Sequence, residues 1–129
     1  MLLLCGWTSD TCSADRRTSW SEDMPCLGQS AVTARIFQKY FGGDIYHFRS
    51  SNWEHYFNKI GDDIFDLTFQ EVDQNCIPYY QSATKIVFFS NTKREHSNPN
   101  KNSNLTSQGK KFLTKTHNAF SLLVNNCNL

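Results

Sequence analysis

The sequence predicts an α+β fold, and three observations carry that expectation. Apolar side chains recur at helical spacing from Ser30 to Phe41, strand-like alternation and a hairpin occupy residues 44 to 69, and an amphipathic stretch closes the chain. At 129 residues the chain has the length of one domain, spanning 1–129, with enough surface to bury one core.

From Ser30 onward, Ala31, Ala34, Ile36, Phe37, Tyr40 and Phe41 fall three and four apart, the pattern of a helix with one buried face. Gly42-Gly43 ends it, because glycine tolerates the left-handed angles that terminate helices. Upstream, residues 8 to 28 are rich in Ser, Thr and Asp. Their last part reads as a loop, since Pro25 disfavours helical angles at Met24 and Gly28 permits a sharp approach to Gln29 and Ser30. Residues 44 to 49 alternate and are rich in aromatic and branched side chains, which predicts a strand. Residues 54 to 60 and 63 to 69 make a hairpin around Gly61-Asp62. With a turn of two or four residues, His55 and Asp66 share one face of that hairpin; a three-residue loop would separate them.

Glu71 to Tyr80 reads as an irregular polar passage. Lys85 to Phe89 suits either a short buried strand or the last turns of a helix, and periodicity does not separate the two. Residues 90 to 109 are nearly all Asn, Ser, Lys, Thr and Gly, so a long mobile loop is expected there. Phe112, Leu113, Thr116, Ala119, Phe120, Leu123 and Val124 then predict the closing helix.

Composition excludes several classes of function. A net charge of +1, with basic residues scattered, lacks the electrostatic footprint of a nucleic-acid binder. The apolar start, Met1 to Trp7, has no basic flank and is too short for a signal sequence or a membrane span, so no membrane partner is expected. Five cysteines, at 5, 12, 26, 76 and 127, are odd in number and lack metal-ligand spacing, which argues against a disulfide framework and a zinc site. Reduced thiols in a cytoplasm are the expectation, with delivery into another cell as an effector the alternative. Asn104-Leu105-Thr106 fits a glycosylation triplet, but such triplets arise by chance in an Asn-rich segment. No cofactor or metal is implied, since there is neither a phosphate-binding glycine loop nor a ligand cluster.

Chemistry concentrates between Gly28 and Asp66. Ser30 falls in the first turn of its helix, where free N–H groups and the helix dipole stabilise a developing anion. His55 lies on a strand, and Asp66, set between Phe65 and Leu67, needs a partner if it is buried. Nucleophile, base and orienting acid is the order this suggests. Each residue also has a plainer role: Ser30 as a helix cap, His55 bonded to a backbone carbonyl, Asp66 as a turn acceptor. His47 lies on another strand without a matched acid, while His96 and His117 fall in the loop and on the late helix. Cys26 sits in a loop rather than at the helix start. Trp53 precedes His55 by two, shares its face and is expected to line a substrate groove; Asn58 faces the other way and reads as structural.

These residues resemble the YunG-like family of small bacterial proteins, whose signature is Gly-Gln-Cys-Ala-Val-Thr-Ala, a Phe-Gly-Gly helix end, His-Tyr-Trp-Asn and Asp-Leu-Thr. Here they stand as Gly28-Gln29-Ser30-Ala31-Val32-Thr33-Ala34, Phe41-Gly42-Gly43, His55-Tyr56-Phe57-Asn58 and Asp66-Leu67-Thr68. The resemblance implies a papain-like core, in which a helix carrying the nucleophile packs on a small antiparallel sheet and a histidine on a neighbouring strand activates it. Carried over, it gives Ser30 as the nucleophile position, His55 as general base, Asp66 as the residue orienting the imidazole and Gln29 as an oxyanion donor.

The departure is Ser30, where the family has cysteine. A cysteine is readily ionised by a helix end and a histidine, whereas a serine hydroxyl needs its proton removed as it attacks. The intact flanks favour an engineered replacement, because decay would be expected to take His55 or Asp66 as well. The resulting expectation is a cysteine-dependent hydrolase or acyl transferase acting on an amide or thioester of a protein or peptide, inactive here through Ser30. Peptidase, isopeptidase and glutamine deamidase share that machinery. The alternatives are a non-catalytic protein-binding module of the same fold and, third, a serine hydrolase using Ser30, His55 and Asp66.

Overall fold

The computed structural model describes residues 6–90 and 104–128. Four strands, β1 (Asp44–Ser50), β2 (Trp53–Ile60), β3 (Asp63–Phe65) and β4 (Thr84–Lys85), form an antiparallel sheet in the order β3-β2-β1-β4. Helix α1 (Ser30–Phe41) lies against the sheet, and helix α2 (Ser107–Asn126) packs on α1, so the protein is α+β with a C-terminal helix.

Helix α1 stops where Gly42 and Gly43 both take positive φ, 76° and 79°. At Gly43 a side chain would also strike the Lys59 carbonyl, with an added Cβ only 2.5 Å from that oxygen. Ala31 and Ala34 of α1 meet Ile45, Tyr56, Ile86 and Phe112, while Val32 and Ile36 meet Trp7, Cys26, Leu123 and Cys127. Buried on both sides, α1 is the element on which the sheet, the N-terminal segment and α2 converge. Polar groups fix it as well. The Trp7 indole donates to Thr33 Oγ1 (3.0 Å), and the Asn58 side-chain amide donates to the Ala34 carbonyl (2.9 Å).

Strand parity sorts β2 into two faces. Tyr56 and Asn58 meet α1, whereas Trp53 and Phe57 face Phe48, Cys76 and Tyr80 on the opposite side. That second side is covered by a 3-10 segment, Gln74–Tyr80, within what reads in sequence as an irregular passage.

The hairpin turn holds Gly61 and Asp62 alone, pairing Ile60 with Asp63. The parity condition for His55 and Asp66 is therefore met. The strand expected over 63–69, however, ends at Phe65. Asp66 accepts from the backbone and hydroxyl of Thr68 (3.1 and 3.2 Å), a local turn that competes with the ladder, and a 3-10 turn at Phe69–Glu71 follows. In the 85–89 stretch, Lys85 ends β4, the Ile86 N–H donates to the Ile45 carbonyl, and Phe89 bridges to Leu105. Most of the loop expected over 90–109 lies outside the described residues, but its last part is ordered differently. Thr106 caps α2 by accepting from the Gly109 N–H (2.9 Å), so the helix begins at Ser107.

Leu123 is fully buried between α1 and Trp7. Leu123→Ala is expected to destabilise the fold by about 2–5 kcal/mol in urea unfolding, from lost transfer energy plus a cavity. Ile77→Ala, at a side chain 60% exposed, is expected to cost less than about 1 kcal/mol. Equal losses at the two positions would contradict this core.

Candidate functional site

Ser30 is the first residue of α1 and is buried. No side chain caps this helix start. The Ser30 hydroxyl instead accepts from the Tyr56 N–H at 3.2 Å. The reason lies in the sheet. β3 pairs only with Asn58, Lys59 and Ile60, so the outer edge of β2 before Asn58 has no strand partner among the described residues, and Ser30 satisfies one of its amides.

His55 is fully buried, next to Tyr56 in the chain but on the opposite face of β2. Its Nε2 lies 2.6 Å from Asp66 Oδ2 and its Nδ1 2.8 Å from Glu71 Oε1, each within hydrogen-bond distance of a carboxylate oxygen. The two carboxylate side chains are themselves only 7% and 3% exposed. Burial by itself would lower the His55 pKa. The hydrogen bonds to Asp66 and Glu71 and their negative charges outweigh it and push the pKa up to about 9. At neutral pH the ring is an imidazolium held between two carboxylates.

Each carboxylate has further partners. Asp66 Oδ2 also accepts from the Tyr80 hydroxyl (2.5 Å) while Oδ1 takes Thr68. Glu71 Oε2 accepts from the Gly28 N–H (2.7 Å). Gly28 sits at φ +71°, and a Cβ there would lie 2.4 Å from Cys12 Sγ and 2.9 Å from Arg16 Cβ, so only glycine brings this amide to Glu71. One charge cluster thus ties β2, the two turns after β3 and the loop entering α1.

Gln29 is completely buried, and its side chain points into the N-terminal segment. Its Oε1 accepts from the Thr11 hydroxyl (2.8 Å) and its Nε2 donates to the Thr8 carbonyl (2.9 Å). The amide expected to stabilise an oxyanion is spent on holding residues 8–11 against the start of α1.

A small cleft straddles the open edge of β2. Gly28, Ser30 and Glu71 line it together with Trp53 and Tyr56, and Asp15, Arg16, Glu54 and Lys115 add charges of both signs. Trp53, half-buried, stands edge-on to His55 with ring centroids 5.8 Å apart, and the Arg16 guanidinium lies 5.4 Å over its indole. Lys115 lies 5.2 Å over the Tyr56 ring, whose hydroxyl donates to Glu54 (2.6 Å). Ser30, Trp53 and Glu71 therefore share one cleft, and His55 with Asp66 stands behind Glu71.

Cys26 is buried, and burial first, then the charge of Glu71, raises its thiol pKa. Cys12 is pushed up to about 11 by burial and the same carboxylate. Both thiols are held neutral, which removes their nucleophilic form. Cys12, Cys26 and Cys76 are free thiols. His47 stacks on Tyr56 and faces Glu54 at 3.8 Å, away from the cluster around His55.

Glu71 and Tyr80 are the participants that sequence reasoning passes over. Both fall in or beside a passage without periodicity, and only the alternation of acids with apolar residues near Asp66 hints at a second buried carboxylate. Among the described residues no helix is long and apolar enough to cross a membrane.

Comparison with known proteins gives one family. The family model described as YunG protein matches residues 1–108. The Bacillus subtilis (strain 168) protein called "Uncharacterized protein YunG" is 35% identical over 54 residues, 42% of this chain and 47% of that protein. The match thus spans about half the length of that relative. No solved structure matches.

The raised pKa of His55 makes stability depend on pH with a defined sign. The folded value of about 9 lies above the ordinary 6.5, so the contribution is fully present below pH 6.5 and is lost as pH rises through 9. Urea unfolding at pH 6, 7.5 and 9 is expected to show a loss of up to about 3 kcal/mol from this group. His55→Ala, which leaves two buried carboxylates unpaired, is expected to cost about 3–5 kcal/mol at pH 7. A stability flat from pH 6 to 9 would contradict a buried imidazolium.

Proposed function

The chain belongs to the YunG protein family, and from that premise we propose that it is a binding module keeping the frame of an acyl-transfer site without its chemistry. The observation that carries this reading is His55. Both its ring nitrogens face carboxylates, and with its pKa pushed up to about 9 the ring keeps both protons at neutral pH and offers no lone pair to take a proton from Ser30. A serine without a base is a poor nucleophile, and the Ser30 hydroxyl is engaged by the Tyr56 N–H.

The cleft beside Ser30 supplies what binding needs. Two aromatic side chains, Trp53 and Tyr56, line it with Ser30 and Glu71, and Arg16, Lys115, Asp15 and Glu54 bring both signs of charge. Such a lining suits a short peptide or protein segment carrying mixed charge, held by stacking and hydrogen bonds.

A second reading has its own support: a cysteine-dependent hydrolase of papain-like fold, acting on an amide or thioester. Ser30 begins a helix, its hydroxyl reaches the amide next to His55, and Asp66 orients the imidazole at 2.6 Å. In that reading Ser30 replaces the family's cysteine. Oxyanion stabilisation would fall to the uncapped N–H groups of α1, because the Gln29 amide is spent on Thr8 and Thr11.

Alkylation of Ser30→Cys by iodoacetamide across pH separates the two. The binding reading expects the new thiol to titrate at or above the ordinary value of about 8.5. An apparent pKa below about 7 would show an activated pair and carry the hydrolase reading instead.

A further inference from the structure

We infer that Glu71 is a built-in lock on this site: its carboxylate stands between the cleft and His55, occupying the ring's Nδ1 with one oxygen and the Gly28 amide of the cleft lining with the other. Ser30 is then only half of what makes the chain non-catalytic. The inference rests on the reading that the chain as it stands performs no acyl transfer, and it assigns the cause to a second residue.

The geometry supports a lock rather than another orienting acid. Asp66 already fixes the ring through Nε2–H, and Tyr80 and Thr68 fix Asp66 in turn. With that bond alone, the neutral ring would carry its proton on Nε2 and present a bare Nδ1, the state a general base requires. Glu71 reverses this by adding a second carboxylate at Nδ1, so that the ring keeps both protons. The groups facing the ring are Asp66 and Glu71, together with the aromatic rings of Phe48, Trp53 and Tyr80.

Placement supports the same conclusion. Glu71 lines the cleft with Ser30 and Gly28, whereas His55 does not reach the cleft lining. Its other oxygen takes the Gly28 N–H, two residues before Ser30. Glu71 is also the last residue of the short 3-10 turn Phe69–Glu71, outside the sheet, so its removal leaves the paired strands intact. Glu71 lines the cleft with Ser30 and bonds Nδ1 behind it, so without it Nδ1 loses the carboxylate on the Ser30 side. A thiol at position 30 is then expected to pass its proton to Nδ1, giving a thiolate and an imidazolium that Asp66 still holds.

The test compares iodoacetamide alkylation of Ser30→Cys with Ser30→Cys/Glu71→Ala and Ser30→Cys/Glu71→Gln, the latter keeping the shape of the side chain should the alanine variant fold poorly. Alkylation is read site by site by peptide mass spectrometry. At pH 7 the thiol at position 30 is expected to react roughly tenfold faster or more in a Glu71 variant than in Ser30→Cys alone, the change expected for a thiol pKa lowered by about one unit or more. Cys12 and Cys26 also lose the charge of Glu71 but keep the burial that chiefly raises their pKa, so they are expected to gain much less than position 30. Equal rates in all three proteins overturn the lock while leaving the binding reading in place. A speed-up at Cys12 and Cys26 as large as that at position 30 also overturns it, because loss of the Glu71 charge or of local packing would then account for the whole effect without His55. A fast, low-pKa thiol in Ser30→Cys alone sinks both the lock and the binding reading.

Discussion

A single imidazolium, buried between two carboxylates, holds the functional end of this protein together. His55 is anchored by its place in β2, and the two acids that meet it arrive from the turn after β3 and from the end of a short 3-10 turn. Removing a cation from water is costly, and here the cost is offset only because every facing oxygen is engaged. Asp66 takes Thr68 and Tyr80, and Glu71 takes the Gly28 amide. The consequence is positional. The loop into α1, the turn after β3 and the 3-10 segment ending at Tyr80 converge on one ring, and together they shape one side of the cleft.

The same interaction decides the chemistry. A general base must hold a lone pair toward its nucleophile, and an imidazole with both nitrogens on carboxylates holds none. The arrangement thus brings together His55 and Asp66, which the sequence orders for acyl transfer, and sets a second carboxylate, Glu71, on the same ring. Ser30 fits this picture, since its hydroxyl accepts from the Tyr56 N–H on the stretch of β2 that β3 does not pair. Gln29 fits it too, its amide tying the N-terminal segment to the start of α1. Three residues that read as catalytic machinery in sequence are each satisfied by structural partners.

Family membership and geometry meet at this site without duplicating each other. The family match covers residues 1–108, which include every residue of the cluster and all of the cleft lining except Lys115. Lys115 comes from α2, and its ammonium stands over the Tyr56 ring, so the C-terminal helix contributes one wall of the cleft as well as covering α1.

The sequence by itself determined the elements whose signal is local. The helix from Ser30 to Phe41 follows from apolar spacing and the glycine pair that ends it, and the hairpin of β2 with β3 follows from alternation around Gly61-Asp62, with the structure setting its turn at two residues. Parity then placed His55 and Asp66 on a shared face and turned Asn58 the other way, toward α1. Tertiary structure alone decided the rest, because the deciding contacts join residues far apart in the chain and lie in segments without periodicity. The start of α2 at Ser107 depended on a threonine cap inside a polar run, and the early end of β3 on a side chain bonding its own neighbours. Glu71, sixteen residues after His55, left no periodic trace in sequence, yet its approach to Nδ1 and to the Gly28 amide helps hold the charge of the ring.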